Sequence, residues 1–199
     1  FFGLHPALAP LLPLWEARHL AAVQAVGSPD VSRSHFKAME LMERGLDHPD
    51  GPPSGWLERH LATLDTSNHS PLRGVSIGEK VARSLQGAVP TSVLRSVADL
   101  HLASDTQAMD RMQSALAVLY SFGDPLDTLA GEAMRTLDAV KALDSDRYRP
   151  ANGTLYPESE FGLGLQQVAT LTKAEVGLEV ACLDLGGWDT HIGQGGSEG

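Results

Sequence analysis

The residues best suited to chemistry lie near the end of the chain, in Gly186-Gly-Trp-Asp-Thr-His191. Asp189 and His191 are separated by one residue, so in extended backbone their side chains point to the same side and can converge on one cation. A catalytic zinc ion normally has three protein ligands, so this pair supplies only part of a metal site. The alternative is that Asp189 caps the turn and His191 is a solvated loop residue.

A second candidate group is Ser32-Arg-Ser-His35, which precedes a predicted helix. The amino terminus of a helix, with its free N–H groups and positive dipole end, favours an attacking alkoxide or a bound phosphate or sulfate. Arg33 can hold such an anion through two parallel hydrogen bonds. Ser32 and Ser34 both qualify as the nucleophile, and either needs a neighbouring base or metal. Ser34 can equally be a simple helix cap, and His35 a ligand, a base or a loop histidine.

The predicted strands place both groups where ligands bind in α/β sheets, outside the carboxyl ends of the strands. Residues 178–185 form an apolar run that two glycines end, which predicts a strand buried on both faces. Another strand is predicted at residues 20–26, followed by the serine loop and a helix. The apolar face of that helix is formed by Phe36, Met39, Leu41 and Met42.

The other elements follow from periodicity and turn residues. Helical spacing from Leu8 to Trp15 is interrupted by Pro10 and Pro13. The remaining predictions are a loop at 47–54, helices near 57–64, 79–86 and 160–176, and strands at 73–77 and 92–97. Two helices over about 104–143, the second with Asp124 at its cap and Pro125 in its first turn, predict an inserted helical hairpin. The fold class is therefore α/β, with a largely parallel sheet flanked by helices.

Composition limits the function classes. With 199 residues, of which 42% are hydrophobic, the chain can bury one substantial core, which predicts a single domain over 1–199. The net charge of −10 argues against a nucleic-acid or anionic-membrane partner. The apolar first 26 residues are interrupted by prolines and charges, so neither a transmembrane segment nor a signal peptide fits. Cys182, the only cysteine, cannot form an internal disulfide and is expected to be structural.

Several segments carry a resemblance to a known family. They are Phe2-Gly-Leu-His-Pro-Ala-Leu8, Val26-Gly27, Ser32-Arg-Ser-His-Phe36, Gly55-Trp-Leu57, Tyr156-Pro157 with Phe161-Gly162, and Gly186-Gly-Trp-Asp-Thr-His191. In this order they resemble the bacterial family called domain of unknown function 1501, which is related to the alkaline-phosphatase-like superfamily of metal-dependent hydrolases. The resemblance covers nearly the full length, and it implies a fold and a kind of site without defining a substrate.

The resemblance implies a metal-dependent hydrolase of phosphate or sulfate esters. Asp189 and His191 would bind a divalent metal, which could be zinc, manganese, magnesium or calcium, and a serine of the 32–35 loop would attack a small anionic ester. Because further metal ligands of the family lie before and after this region, the chain is expected to be a partial domain that is inactive alone. Family members often resemble exported proteins, which suggests a periplasmic or cell-surface location.

A different class of function remains open at this stage. The fold can instead serve as a non-catalytic binding or assembly module of a cell-surface or exported complex. The enzyme hypothesis requires Asp189, His191 and the 32–35 loop to meet in one cleft. The binding hypothesis predicts an exposed apolar patch around Trp56 or the helical hairpin.

Overall fold

The computed structural model describes residues 3–64, 67–95, 111, 114–115, 118, 125–141 and 148–188. The chain divides into two compact units, one formed by Phe1–Pro29 with Gly186–Gly199 and the other by Asp30–Leu185. The second unit contains the sheet and most of the helices.

The first unit begins with a 3-10 helix, Pro6–Leu11, which continues into the short helix α1, Leu12–Glu16. As predicted, this segment does not form one uninterrupted α-helix, because a 3-10 helix precedes α1. Pro10 lies inside the 3-10 helix, and Pro13 lies in the first turn of α1, where its missing N–H leaves no intrahelical bond unmade.

The predicted strand at residues 20–26 is wrong. This segment has irregular backbone, and Ala25 adopts a left-handed φ of 56°. Val23 and Val26 are 79% and 77% exposed. A strand needs a hydrogen-bonded neighbour, and no strand pairs with this segment among the described residues.

The second unit is built on a three-stranded parallel sheet. Its strands are β1 (Gly74–Ile77), β2 (Ser92–Leu94) and β3 (Val180–Leu183), in the order β2-β1-β3. Val75 of β1 lies opposite Ser92 on one side and Ala181 on the other. All three strands were predicted, with longer bounds, and the α/β class is confirmed in this general form.

The central strand is β1, and the core forms around it. Its Gly74, Val75 and Ser76 are buried, whereas every residue of β3 is only partly buried. The prediction that the last strand is buried on both faces is therefore wrong, because β3 lies at an edge of the described sheet, where fewer neighbours cover it. The core cluster is Leu72, Val75, Leu94 and Leu171, with Ile77, Ala139, Val176 and Leu178 packed against it.

The described residues of this unit form four longer helices. They are α2 (His35–Arg44), α3 (Trp56–Thr63), α4 (Pro125–Lys141) and α5 (Glu160–Lys173). Residues 111, 114, 115 and 118 are also helical, and the rest of 96–124 lies outside the described residues, as does the predicted cap Asp124. The structure describes a helix, Pro125–Lys141, where the second helix of the predicted hairpin was expected, and the hairpin itself stays a prediction.

The predicted apolar face of α2 is wrong for three of its four residues. Phe36, Met39 and Met42 are 85%, 55% and 64% exposed, and only Leu41 is buried. The inward face of α2 also contains Arg44, whose guanidinium donates hydrogen bonds to three carbonyls of the following loop. Backbone hydrogen bonding, and not apolar packing, thus fixes much of this side of the helix.

The predicted helix near residues 79–86 is also wrong. A single 3-10 turn, Arg83–Leu85, is present instead. Upstream of it, the Ala82 N–H donates to the buried Ser76 hydroxyl at 2.8 Å. That bond ties the connection to β1 and competes with the local pattern of a helix.

Two glycines of the family-like segments permit close packing. A Cβ on Gly55 would lie 2.0 Å from the Ser84 carbonyl oxygen, and one on Gly162 would lie 2.2 Å from that of Pro157. Gly55 also donates its N–H to the Gln86 carbonyl at 2.8 Å. These glycines are therefore required by backbone contacts. No helix among the described residues is long and apolar enough to cross a membrane.

Candidate functional site

The loop that enters α2, here called the entry loop (residues 30–34), is organised by one carboxylate. Asp30 Oδ2 accepts the Ser32 hydroxyl at 2.6 Å, and Asp30 Oδ1 accepts the Ser32 N–H at 3.0 Å. The Ser32 hydroxyl in turn accepts the Ser34 N–H at 3.2 Å. Ser34 is the N-cap of α2, and its hydroxyl accepts the Lys37 N–H at 3.4 Å.

These contacts separate the roles of the two serines. Ser34 caps the helix, which confirms one of the two interpretations that the sequence allowed. Ser32 lies two residues before this N-cap, and its hydroxyl donates a hydrogen bond to a carboxylate. Of the two hydroxyls, only that of Ser32 donates a hydrogen bond to an acidic side chain in the described residues.

The electrostatics of the entry loop favour ionised Asp30. The hydrogen bonds from the Ser32 hydroxyl and N–H, helped by the nearby Lys37 ammonium, lower the pKa of the Asp30 carboxyl. The Lys37 Nζ lies 3.7 Å from Asp30 Oδ1. Asp30 therefore remains an anionic acceptor at neutral pH, and its low basicity suits it to orienting a hydroxyl more than to removing its proton.

Arg33 and His35 are both exposed and flank Ser34. Arg33 has a left-handed backbone, with φ 57°, and forms no ion pair with a described residue. His35 is the first residue of α2. The structure thus places all four predicted residues, Ser32 to His35, together at the start of one helix, where the anion-binding role of Arg33 stays a prediction.

The predicted metal pair, Asp189 and His191, lies outside the described residues. The structure describes the chain up to Trp188, which is 77% exposed. Gly187 has a φ of 89°, so the predicted turn after the last strand contains a backbone conformation that favours glycine. Whether the metal pair and the entry loop share one cleft stays a prediction.

Metal-ligating side chains are not clustered in the part of the chain that the structure describes. There, no three His, Cys, Asp or Glu residues form a group that could hold a metal ion. Carboxylate and imidazole suit a divalent metal by their donor chemistry, so the predicted ligands remain Asp189 and His191.

Cys182 lies in β3, half-buried, with its Sγ 3.7 Å from the Ser84 hydroxyl. Burial raises the pKa of its thiol, and the negative charges of Asp184 and Glu43 act in the same direction. The thiol is therefore protonated at neutral pH and poorly nucleophilic. This agrees with the structural role that the sequence predicted.

The contact of Asp30 with Ser32 was not predicted from the sequence. The spacing Asp-x-Ser was a usable signal, because an aspartate often accepts hydrogen bonds from the residue two positions later. Lys37 was missed as well, although it lies on the first turn of the helix that faces this carboxylate.

Comparison of the chain with known proteins found no similar protein. No family model matches the chain, and neither a curated protein nor a solved structure matches it. The family resemblance of the sequence motifs therefore stays a prediction, and the functional conclusion depends on the chemistry of the site.

Proposed function

We propose that this chain is part of a metal-dependent hydrolase of phosphate or sulfate esters, with an alkaline-phosphatase-like fold and an inserted helical hairpin. The observation that carries the proposal is the 2.6 Å hydrogen bond from the Ser32 hydroxyl to Asp30 at the start of α2. It gives one serine a fixed orientation at a position where free N–H groups and the helix dipole attract an anion.

In this mechanism Ser32 is the nucleophile and Asp30 is a positioning residue. Asp30 holds the hydroxyl through Oδ2 and the backbone through Oδ1, so the attacking oxygen is oriented before the ester binds. Arg33, which is exposed beside Ser32, would hold the phosphate or sulfate oxygens of a small anionic ester. Ser34 keeps the helix end in place.

The difficult step of the reaction is removal of the proton from the Ser32 hydroxyl. An aspartate whose pKa is lowered is a weak general base, so Asp30 alone leaves the hydroxyl largely protonated. A divalent metal held by Asp189 and His191, when bound, would lower the pKa of the attacking hydroxyl or water and polarise the ester. The proposal therefore includes these two residues, and it includes ligands from a longer protein, without which the isolated chain is inactive.

The test is hydrolysis of 4-nitrophenyl phosphate and 4-nitrophenyl sulfate by the longer protein that carries this chain. Ser32→Ala should lower kcat by about a thousandfold or more, as loss of a nucleophile does elsewhere. Ser34→Ala is the matched control, because it removes a hydroxyl two residues away that caps the helix. It should keep kcat within about tenfold and lower stability instead.

Metal content gives a second readout. Asp189→Ala with His191→Ala should remove bound metal and activity together. A folded Ser32→Ala protein with full activity would overturn Ser32 as the nucleophile. A metal-free parent whose double variant folds unchanged would overturn the hydrolase proposal as a whole.

One observation favours the alternative of a binding or assembly module in a cell-surface or exported complex. Phe36, Met39 and Met42 recur every three residues along α2 and are mostly exposed, and Trp56 is 48% exposed. Exposed apolar side chains grouped on one helix are typical of interaction surfaces. If this alternative is correct, the protein should assemble without hydrolysing either ester, and Phe36→Ser with Met39→Ser should abolish the assembly. Size-exclusion chromatography with an activity assay distinguishes the two proposals.

A further inference from the structure

A pocket of about 990 Å³ opens at the amino-terminal ends of β1 and β2, away from the entry loop in sequence. It is lined by residues 68–71 and Arg73 before β1, by Val81, by residues 85–92 before and at the start of β2, and by Ala133, Arg135 and Thr136 of α4. Its volume lies at the upper end of the range of small-molecule sites. All of these residues belong to the Asp30–Leu185 unit.

The lining of this pocket has the opposite charge to the protein. Its described residues include Arg73, Arg135 and His69 and no aspartate or glutamate, although the whole chain carries a net charge of −10. In a strongly acidic protein, a wall without carboxylates concentrates positive potential locally. An anion is therefore the ligand that this wall would attract.

Arg135 is exposed on α4 and forms no ion pair with a described residue. No contact with a described residue therefore has to be broken before its guanidinium binds a ligand.

Arg73 retains unused hydrogen-bonding capacity. Both of its hydrogen bonds to described residues come from Nη2, at 2.8 Å to Glu179 Oε2 and at 3.2 Å to the Leu61 carbonyl. Its Nε is enclosed and has no hydrogen-bond partner among the described residues. The Nη1 group makes no hydrogen bond to a described residue, so its two N–H donors are the ones that an anion in the pocket would use.

Three neutral polar side chains of the lining already donate hydrogen bonds within the protein. Asn68 donates to the Gly177 carbonyl and to Glu179, and Ser70 donates to the Val176 carbonyl. The Ser92 hydroxyl donates to the Pro71 carbonyl at 2.9 Å. The arginines, and not these groups, therefore determine which ligand binds. This favours an anionic ligand over a neutral polar one.

Part of the wall is apolar. Pro71, Val81, Val89 and Pro90 line the pocket together with the Ala133 methyl group. We propose that this pocket binds a small anion that bears a phosphate or carboxylate group on an apolar body, with Arg135 and Arg73 holding the anionic end.

The experiment is isothermal titration calorimetry of the 199-residue chain with phenyl phosphate, benzoate and phenol at low ionic strength. Phenyl phosphate or benzoate should bind and phenol should not. Tighter binding of phenyl phosphate identifies a phosphate monoester as the ligand class, and tighter binding of benzoate identifies a carboxylate. Equal binding of all three would overturn the role of charge.

Two variants locate the binding. Arg135→Gln should weaken the preferred anion about tenfold, the loss expected for one charge-assisted hydrogen bond. Ala133→Trp should weaken it by occupying the pocket without changing its charge. Arg95→Gln is the matched control, because Arg95 is paired with Glu79 and does not line the pocket, and it should leave the affinity unchanged.

Amide chemical-shift changes on titration with phenyl phosphate show where the anion binds. Shifts at residues 86–92 and 133–136 support the pocket. Shifts confined to residues 30–37, or affinities that Arg135→Gln and Ala133→Trp leave unchanged, would overturn the proposal.

Discussion

The entry loop and the region around α3 use charged side chains in opposite ways. In the entry loop, the hydrogen bonds of Asp30 and Ser34 span only two or three residues of sequence. Around α3, Glu58 accepts the N–H groups of Ala88 and Val89, 30 and 31 residues away. Glu58 is 5% exposed. Local contacts orient side chains within one loop, whereas long-range contacts between segments make a side chain part of the scaffold.

Two arginines also hold this region together through hydrogen bonds to the backbone of a loop. The proline-containing loop 47–54 presents carbonyl groups that have no strand or helix to pair with. Arg44 donates hydrogen bonds to the carbonyls of Pro49, Gly51 and Pro52, and Arg59 donates one to the carbonyl of Ser54. Guanidinium groups here replace secondary structure as the hydrogen-bond partners of a loop. The comparison predicts large stability effects around α3 and small ones in the entry loop.

The largest effect is expected from Gly55→Ala. The new methyl group would lie 2.0 Å from the Ser84 carbonyl oxygen, so the backbone of α3 or of the 3-10 turn must move. We expect a loss of about 3 kcal/mol or more in urea unfolding, which is the upper end of overpacking costs. Gly131→Ala is the control, since no atom lies within 4 Å of its Cβ, and it should stabilise α4 by about 0.5–1 kcal/mol. Equal effects of the two changes would contradict the close contact.

Glu58→Ala should be the next most costly. It leaves the Ala88 and Val89 N–H groups without their acceptor in a nearly enclosed site, which we expect to cost about 2–3 kcal/mol. Glu58→Gln retains an amide oxygen at the same place and should recover at least half of the loss in the same unfolding experiment. If glutamine is no better than alanine, then the charge, and not the acceptor, stabilises this contact.

The difference in contact range also explains what the sequence could predict. The strand at 74–77, the helix start at Pro125 and the cap at Ser34 depend on patterns within a few residues, and all three were predicted. The burial of Glu58 depends on a segment 30 residues away, which no local pattern reveals.

The spacing of apolar residues led to wrong predictions of burial in two segments. It predicted a strand at residues 20–26 and an apolar core face on α2. Residues of both segments, such as Val23 and Phe36, are largely exposed. Periodicity shows which side chains could be buried together, but a neighbouring element must supply the other side of the contact. For the site, the sequence identified the serine loop, and the Asp30 contact that distinguishes Ser32 from Ser34 came from the structure.

Ser34→Ala should have a smaller effect than either change around α3. It removes an N-cap whose hydrogen bond to the Lys37 N–H is 3.4 Å long, so we expect a loss of about 0.5–1 kcal/mol in urea unfolding. Ser34→Asp should restore the cap, because aspartate accepts the same N–H and favours the positive helix end. A loss from Ser34→Ala as large as that from Glu58→Ala would mean that the entry loop is part of the scaffold.

The smallest effect concerns the protonation of Asp30, and it tests the contact on which the proposed nucleophile depends. The Ser32 hydroxyl is the largest cause of the lowered Asp30 pKa and Lys37 a smaller one, so Ser32→Ala should raise that pKa towards the ordinary aspartate value more than Lys37→Gln does. Carboxylate carbon shifts in an NMR titration measure both. Because the folded pKa is lowered, the ionised carboxylate stabilises the fold above the ordinary pKa, and this contribution is lost as the pH falls through the lowered value. Ser32→Ala should therefore make acid unfolding slightly less steep. A larger shift from Lys37→Gln than from Ser32→Ala would mean that the ammonium, and not the hydroxyl, holds this carboxylate, and Ser32 would then lose its distinction from Ser34.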